Sequence, residues 1–302
     1  MRLKALFKKI KKRYGMFQKH PLTAKAPFYH LLRYLWINIQ FLWKKELIYP
    51  WLGSLKLAIQ KGDAGIIANA YYYLYEYQES TFLLHTLTTE DEFIDVGANL
   101  GHYSLLVAGI RGTTCHAFEP VPLTFRRLME QISLNQLQDC IHTYHKGVAS
   151  EAGHLYFSTQ HTVMNRVVNA SYPNAIEVPV ISLDGFMSKE SHRAAILKVD
   201  VEGYEMQVLL GAEKLLSSPR VKALIIELNY SATQYQVKNS DIVQWLIKRG
   251  FSPFEYHPEK RNLVPLEGQN TKQFNTLFVK DLEFVQNRIR KAVAVSYKHK
   301  WI

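Results

Sequence analysis

What this sequence has little of narrows it first. Cysteine is scarce: Cys115 and Cys140 are the two in 302 residues, and they stand in no metal-ligand or redox spacing. Cys115 falls in an apolar run and is expected in the core, which suits a reducing, cytoplasmic compartment. Long apolar runs are missing too. The closest candidate for a membrane span, Pro27 to Trp43, is interrupted by His30, Arg33, Asn38 and Gln40. No apolar stretch of the kind a secretory signal needs follows the lysine-rich start. Acidic residues are absent from residues 1–45, which hold twelve Lys or Arg. The net charge of +11 therefore sits entirely in that arm, and the rest of the chain sets 25 basic against 26 acidic residues. A balanced body carries no electrostatic footprint for DNA or RNA, so nucleic acid is not expected as a partner.

What the arm does have is helical periodicity. Leu3, Leu6, Phe7, Ile10 and Tyr14 fall on one face and Lys4, Lys8, Lys11 and Lys12 on the other, with Gly15 and Pro21 closing the segment. A basic face opposite an apolar one suits a helix lying on an anionic membrane surface, so residues 1–20 read as a peripheral anchor or as a solvated arm. Phe28, Leu31, Leu32, Leu35, Trp36, Ile39 and Trp43 mark a second helix, expected to pack as a cap on the main domain. The Tyr71–Tyr73 run is expected to pack between that cap and the domain. The expected organisation is a basic, aromatic-rich helical extension over 1–60, a main domain over 61–285 and a basic tail over 286–302.

From residue 92 short apolar runs alternate with amphipathic stretches. Phe93–Val96, Thr114–Phe118, Ile141–Tyr144, Val178–Ser182, Ile196–Val201 and Ala223–Leu228 read as strands, several followed by helices from Gly101, near Leu123 and up to Leu210. Such alternation predicts an α/β fold, a doubly wound Rossmann-like sheet covered on both faces. Phe251–Tyr256 and Asn275–Val279 suggest an antiparallel pair at one edge. Residues 150–180 interrupt the pattern and read as a hairpin-like insertion or lid.

The sharpest motif is Phe93-Ile94-Asp95-Val96-Gly97-Ala98-Asn99-Leu100-Gly101, a buried strand ending at an acid, then a glycine turn opening a helix. Open α/β sheets bind ligands at such a loop. A dinucleotide site would repeat glycine where Asn99 stands and aim a helix N-terminus at pyrophosphate, which Asp95 would repel. A carboxylate there suits a cation, and the ammonium and sulfonium of S-adenosylmethionine (SAM) supply one. The next strand ends at Glu119, placed to accept bonds from ribose hydroxyls. Lys198, Asp200 and Glu202 would share one face of a strand, a costly charge cluster unless its end opens into a site. Asp200 reads as a site residue or as the edge ion-pair partner of Lys198, and Glu205 as a site residue or a helix-dipole partner. Among the histidines, His102 opens the helix beside the glycine loop and reads as a surface residue or as a contact to SAM. His142, His145, His154 and His161 show no metal-ligand spacing.

Together these segments resemble the FkbM-type SAM-dependent methyltransferases over about Glu79 to Val279. The resemblance is carried by Phe93–Gly101, Phe118-Glu119-Pro120 with Asn135, Ser182-Leu183-Asp184, Lys198–Glu205, Gly211-Ala212 and Ile226-Glu227. It implies a SAM-binding fold that methylates a hydroxyl on a sugar, glycolipid or secondary metabolite, with a lipid-linked or glycan acceptor. Cofactor residues map onto Glu79, Asp95, Gly97, Asn99, Gly101 and Glu119. Family members often carry a His just after the acidic strand end, where this chain has Leu228 and Asn229 after Glu227. A hydroxyl acceptor needs a base, and Asp200, Glu202 and Glu227 are the candidates; the same three carboxylates could hold a divalent metal. Two other classes remain in view, a nicotinamide-dependent (NAD) oxidoreductase and a non-catalytic membrane-surface adaptor that kept the fold.

Overall fold

The structure is a computed structural model that describes residues 2–159, 165–187, 191–297 and 300–301, with side chains described from residue 7 to 295 outside the gaps. Its N-terminal part opens with a helical hairpin, α1 (Arg2–Lys19) and α2 (Pro27–Gln40), with Pro27 preset for the first helical turn. The helix α1 runs through Gly15, where the sequence predicts a stop. Burial overrides the local cost: Phe17 is fully buried and its ring packs on His30, Tyr34 and Tyr72. Of the apolar face expected on α1, Ile10 and Tyr14 pack inward and Phe7 is exposed, while the side chains of Leu3 and Leu6 lie outside the described residues. Tyr71–Tyr73 form the seat for this hairpin, as expected: Arg13 donates to Tyr72 Oη at 2.7 Å and the Arg33 guanidinium stacks 3.8 Å from the Tyr73 ring centroid.

The extension is not wholly helical. Strands β1 (Glu46–Pro50) and β2 (Lys56–Gln60) form an antiparallel hairpin that periodicity alone does not reveal. A two-stranded hairpin is marginal in water. Here its free edge is clamped by a later helix: Gln131 bonds both N–H and C=O of Ala58, and Asn135 both of Lys56. Arg127, one turn before Gln131, reaches Glu46 at 2.7 Å, Asp63 at 2.9 Å and the Ala58 carbonyl.

Helices α3 (Ala64–Tyr72) and α4 (Tyr77–Thr86) lead into the main sheet through β3 (Glu92–Val96), α5 (His102–Arg111), β4 (Thr114–Phe118), α6 (Pro122–Leu134) and β5 (Ile141–Tyr144). A second, four-stranded sheet follows, built from β6 (Gly147–Val148), β7 (Gly153–Phe157), β8 (Val167–Val168) and β9 (Ile176–Ile181). The chain continues through α7 (Leu183–Phe186), β10 (Ala195–Val199), α8 (Glu205–Leu210), α9 (Glu213–Ser217), β11 (Val221–Glu227) and α10 (Asn239–Ile247). It continues through β12 (Ser252–His257), β13 (Asn262–Pro265), β14 (Asn275–Val279) and α11 (Leu282–Lys291), which crosses residue 285 and buries Val285 and Ile289, and the short antiparallel pair β15 (Ser296–Tyr297) and β16 (Lys300–Trp301) follows.

Strand order in the main sheet is β13–β12–β14–β11–β10–β3–β4–β5, with β11, β10, β3, β4 and β5 mutually parallel. This is the doubly wound α/β architecture expected, with one apolar cluster on each face. The late antiparallel pair is present, but β14 lies inside the sheet between β11 and β12, and β13 forms the edge. Val178–Ser182 belongs to the second sheet instead of the main one. Its strand alternates between exposed and buried, whereas β3 and β10 are buried throughout, as central parallel strands are. Among the described residues the insertion over residues 150–180 holds β7, β8 and β9, with β7 antiparallel to both of the others. Strand order reverses between β3 and β10, and ligands bind at the carboxyl ends of strands at such a point.

Candidate functional site

β3 delivers Asp95 to the carboxyl edge of the sheet, and the chain then turns through Gly97 and Asn99 into α5. Gly97 has φ +82°, and a Cβ there would stand 1.9 Å from the carbonyl oxygen of Asp200. The ends of β3 and β10 can approach this closely only with glycine. Gly101, with φ +86°, precedes α5, where a Cβ would meet Leu128 Cδ1 at 2.6 Å. Asn99 adopts φ +50°, which asparagine tolerates better than most residues. Its N–H donates to Glu119 Oε2 at 3.0 Å, and the Val121 N–H donates to Glu119 Oε1 at 2.9 Å. Glu119, at the end of β4, thus ties the glycine loop to the start of α6. Asp95 is 2% exposed and accepts from Ser104 Oγ at 2.6 Å. Burial outweighs these bonds: it pushes Asp95 up to about 6 and Glu119 up to about 7.

β10 ends at Val199, so Lys198 lies in the strand while Asp200 and Glu202 reach the site from the loop after it, Glu202 with φ +53°. The expected single strand face is replaced by a strand end and a turn. Val199 and Gly203 bracket a tight corner, and a Cβ on Gly203 would clash with the Ser231 backbone at 2.5 Å. Lys198 is 1% exposed, with Nζ 3.1 Å from Asp200 Oδ2. Burial opposes its charge, but Asp200, Glu76 and Glu227 together outweigh burial and raise its pKa. Glu227, at the end of β11, accepts from Asn229 Nδ2 at 2.9 Å. Burial and then the charge of Asp200 push Glu227 up to about 9, so it holds a proton at neutral pH. The same two causes raise Glu202. Carboxylate oxygens of Asp200, Glu202 and Glu227 lie within 4.8 Å of one another.

Asp95, Gly97, Asn99, Glu119, Asp200, Glu202 and Glu227 all line one cavity of about 290 Å³. Gly101 and Glu79 stand outside its lining. Glu79 is buried on α4, where it accepts from Gln273, and burial and the charge of Glu76 push it up to about 8. Sequence reasoning missed Glu76, which does line the cavity and accepts from Tyr103 Oη at 2.6 Å and Asn275 Nδ2 at 3.0 Å. Its backbone sits at φ +47°, a conformation that periodicity does not signal. Tyr75, Phe157 and Asn165 also line the cavity, the last two contributed by the insertion. The side-chain oxygens of Asn99 and Asn165 are buried there with no bonding partner among the described residues. An unmet buried acceptor of this kind calls for an N–H or O–H from a ligand.

His102 is not the surface residue its position suggests. It lines the cavity, its Nδ1 is 2.9 Å from Asn69 Nδ2, and its Nε2 is 2.9 Å from Ser80 Oγ. Because Ser80 donates to the Tyr75 carbonyl, its oxygen accepts from His102 Nε2–H, and Asn69 donates to Nδ1. Burial and then Lys198 lower its pKa to about 3. Glu205 accepts from the N–H groups of Val201 and Gly203 and pins the loop after β10. Asp184 caps α9 through the N–H groups of Lys214 and Leu215. His161 lies outside the described residues.

A family model described as Methyltransferase FkbM domain matches residues 95–253. The hexuronic acid methyltransferase AglP of Haloferax volcanii is 30% identical over 148 residues, which cover 49% of this chain and 59% of that protein. The match therefore spans well under two thirds of the relative's own length. Among solved structures, an rRNA methylase from Streptococcus thermophilus shares 15% identity at a TM-score of 0.37, covering 67% of this chain and 94% of that one. A Streptococcus mutans protein in complex with SAH shares 15% identity at a TM-score of 0.40, covering 67% and 95%. At such scores the fold assignment rests on strand order and direction in this chain.

Proposed function

This chain belongs to the FkbM methyltransferase family, and on that premise we propose that it transfers a methyl group from SAM to a hydroxyl oxygen of a sugar. One observation carries the reading: a single cavity joins a glycine wall, the two buried acids Asp95 and Glu119, and the charged group around Asp200. The residues fit the cofactor. Asp95 suits its cationic end, Glu119 its ribose, and the unmet oxygens of Asn99 and Asn165 suit N–H donors. Gly97 gives close backbone approach, and Gly101 packs against Leu128 and Leu105 beside it, while Glu79 lies outside the lining. Bound SAM supplies an electrophilic methyl group. The protein's work is then to align an acceptor oxygen and take its proton. Asp200 is paired with Lys198 at the cavity and Glu227 is raised by burial and by Asp200, so we take Asp200 as the base, with Glu227 and Glu202 setting its surroundings. A divalent metal on the three carboxylates is the second reading, favoured by their spacing. The Lys198 ammonium against Asp200 counts against it, because a dication there would face like charge.

Sugar acceptors bearing a uronic acid are the first to test, given the activity named for the Haloferax volcanii relative. Incubation with labelled SAM should move label onto the glycan, with no loss on adding a chelator. Label transfer abolished by chelator and restored by Mg²⁺ would favour the metal, and no transfer to any glycan would remove the sugar assignment. We place the protein in the cytoplasm, with residues 1–20 attracted to an anionic membrane surface that presents lipid-linked acceptors. The two free cysteines accord with that compartment, and among the described residues no helix is long and apolar enough to cross a membrane.

SAM affinity should depend on pH with a definite sign. Asp95 and Glu119 have raised values of about 6 and about 7 in the free protein, so each is increasingly protonated as pH falls through those values. A bound cation favours their ionised forms, and affinity should therefore rise with pH across this window. Calorimetry should show proton release on binding and a loss of about tenfold or more in affinity from pH 8 to pH 5. A flat profile would separate these two acids from the cofactor.

A further inference from the structure

Helix α2 is apolar on two sides, and only one is covered. His30, Leu31 and Ile37 are buried. On the other side Phe28, Leu32, Trp36 and Ile39 recur at helical spacing and are 63%, 50%, 58% and 42% exposed, and Trp43, 63% exposed, follows in the turn after the helix. Exposed large apolar residues scattered singly need no explanation, but four along one helical stripe with Trp43 just beyond it mark a contact surface. The charges around the stripe have one sign. Exposed Lys25 precedes the helix, exposed Lys44 and Lys45 follow it, and α1, packed against α2, exposes Lys8, Lys9, Lys11 and Lys12.

We infer that this stripe of α2 seats in the interfacial layer of an anionic lipid bilayer. The stripe mixes tryptophan with aliphatic side chains, the combination suited to the headgroup boundary, where indole keeps its N–H in a polar layer. Bases alone would stack on aromatic rings and leave Leu32 and Ile39 without a role. A second copy of the chain is disfavoured by charge. Residues 1–45 carry twelve basic and no acidic residues, and a two-fold contact would bring two such arms together. The inference rests on the reading that the arm meets an anionic surface, and it moves the inserted apolar element from α1 to α2. Ile10 and Tyr14 pack inward, so α1 contributes its lysines. The seat of α2 is α3, whose first residues Ala64, Gly65 and Ile66 line the cavity.

The test uses the full chain, because Phe17 and Leu22 are buried and deleting residues 1–20 would open the core. Flotation with phosphatidylglycerol–phosphatidylcholine vesicles should capture the protein, and vesicles of phosphatidylcholine alone should not. Leu32→Ala/Trp36→Ala/Trp43→Ala should lose about tenfold or more in vesicle affinity, with unchanged melting and unchanged methyl transfer to a soluble acceptor. A second variant, Lys8→Glu/Lys9→Glu/Lys11→Glu/Lys12→Glu, tests the charge reading alone. Loss in the lysine variant with wild-type binding by the alanine variant would leave the charge reading standing and overturn the α2 inference. No vesicle binding by the full chain would overturn both. A concentration-dependent dimer, or capture of single-stranded RNA, that the alanine variant abolishes without any vesicle binding would also overturn it.

Discussion

Asp95→Asn should lower SAM affinity on the order of 10²-fold while the free protein melts at the same temperature or slightly higher. The two halves of this expectation come from one fact, the burial of the carboxylate. Asp95 is 2% exposed, and burial pushes it up to about 6. A carboxyl raised above its unfolded value takes up protons on folding, so its contribution to stability is complete below the unfolded value. That contribution is lost as pH rises through about 6, and at neutral pH the ionised side chain costs the free protein stability. Asparagine keeps the shape and can still accept from Ser104 Oγ, so that cost disappears. A cationic ligand, by contrast, loses the one charge in the β3 turn that faces it, and cutting one member of a buried charged pair costs about 2–5 kcal/mol of binding. Calorimetric titration alongside a thermal melt separates the effects. A folded Asp95→Asn protein that binds SAM as tightly as the wild type would remove Asp95 from the cofactor site.

The sequence carries the central part of this fold because the central strands obey a simple rule. β3, β4, β10 and β11 are short apolar runs ending in polar groups, and parallel strands buried on both faces must look like that. The ends of those strands then gather Asp95, Glu119, Asp200 and Glu227 in one cavity, as the motif spacing implies. Elements held by distant side chains stay hidden. β1 and β2 have no strong alternation of their own, and their edge is satisfied by Gln131 of α6 and Asn135 just after it, more than seventy residues later. Glu76 reaches the cavity from an unusual backbone conformation, and the insertion places Phe157 and Asn165 there by a packing that no local pattern encodes. Several motif residues proved to be supports. Glu205 pins the loop after β10, and Asp184 starts α9. Gly211 stands where a Cβ would lie 2.0 Å from the Ala149 carbonyl oxygen. A short motif marks a position that tolerates little change, and contact with a ligand is one cause among several.

Asp200→Asn should lower turnover by about 10²–10⁴-fold, the range general-base catalysis supplies, and leave SAM affinity within about threefold, well short of the loss of a buried charge contact. The difference from Asp95 lies in partners. Asp200 is already paired with Lys198 at 3.1 Å, so a cationic cofactor gains less from it than from Asp95. Its neighbour Glu227 is pushed up to about 9 by burial and by the charge of Asp200. Two acids within 4.8 Å cannot both ionise cheaply. Glu227→Gln is therefore the matched control: it replaces a protonated acid with a neutral amide and should cost less than about tenfold in turnover. Steady-state kinetics on both variants, with SAM affinity measured separately, distinguish the roles. Equal losses in the two variants would mean that the pair shares the proton and neither acid alone is the base. Parallel loss of SAM affinity and turnover in Asp200→Asn would assign Asp200 to cofactor binding. Full turnover in Asp200→Asn would mean that the acceptor oxygen arrives already ionised, as a carboxylate does, and that no base is needed.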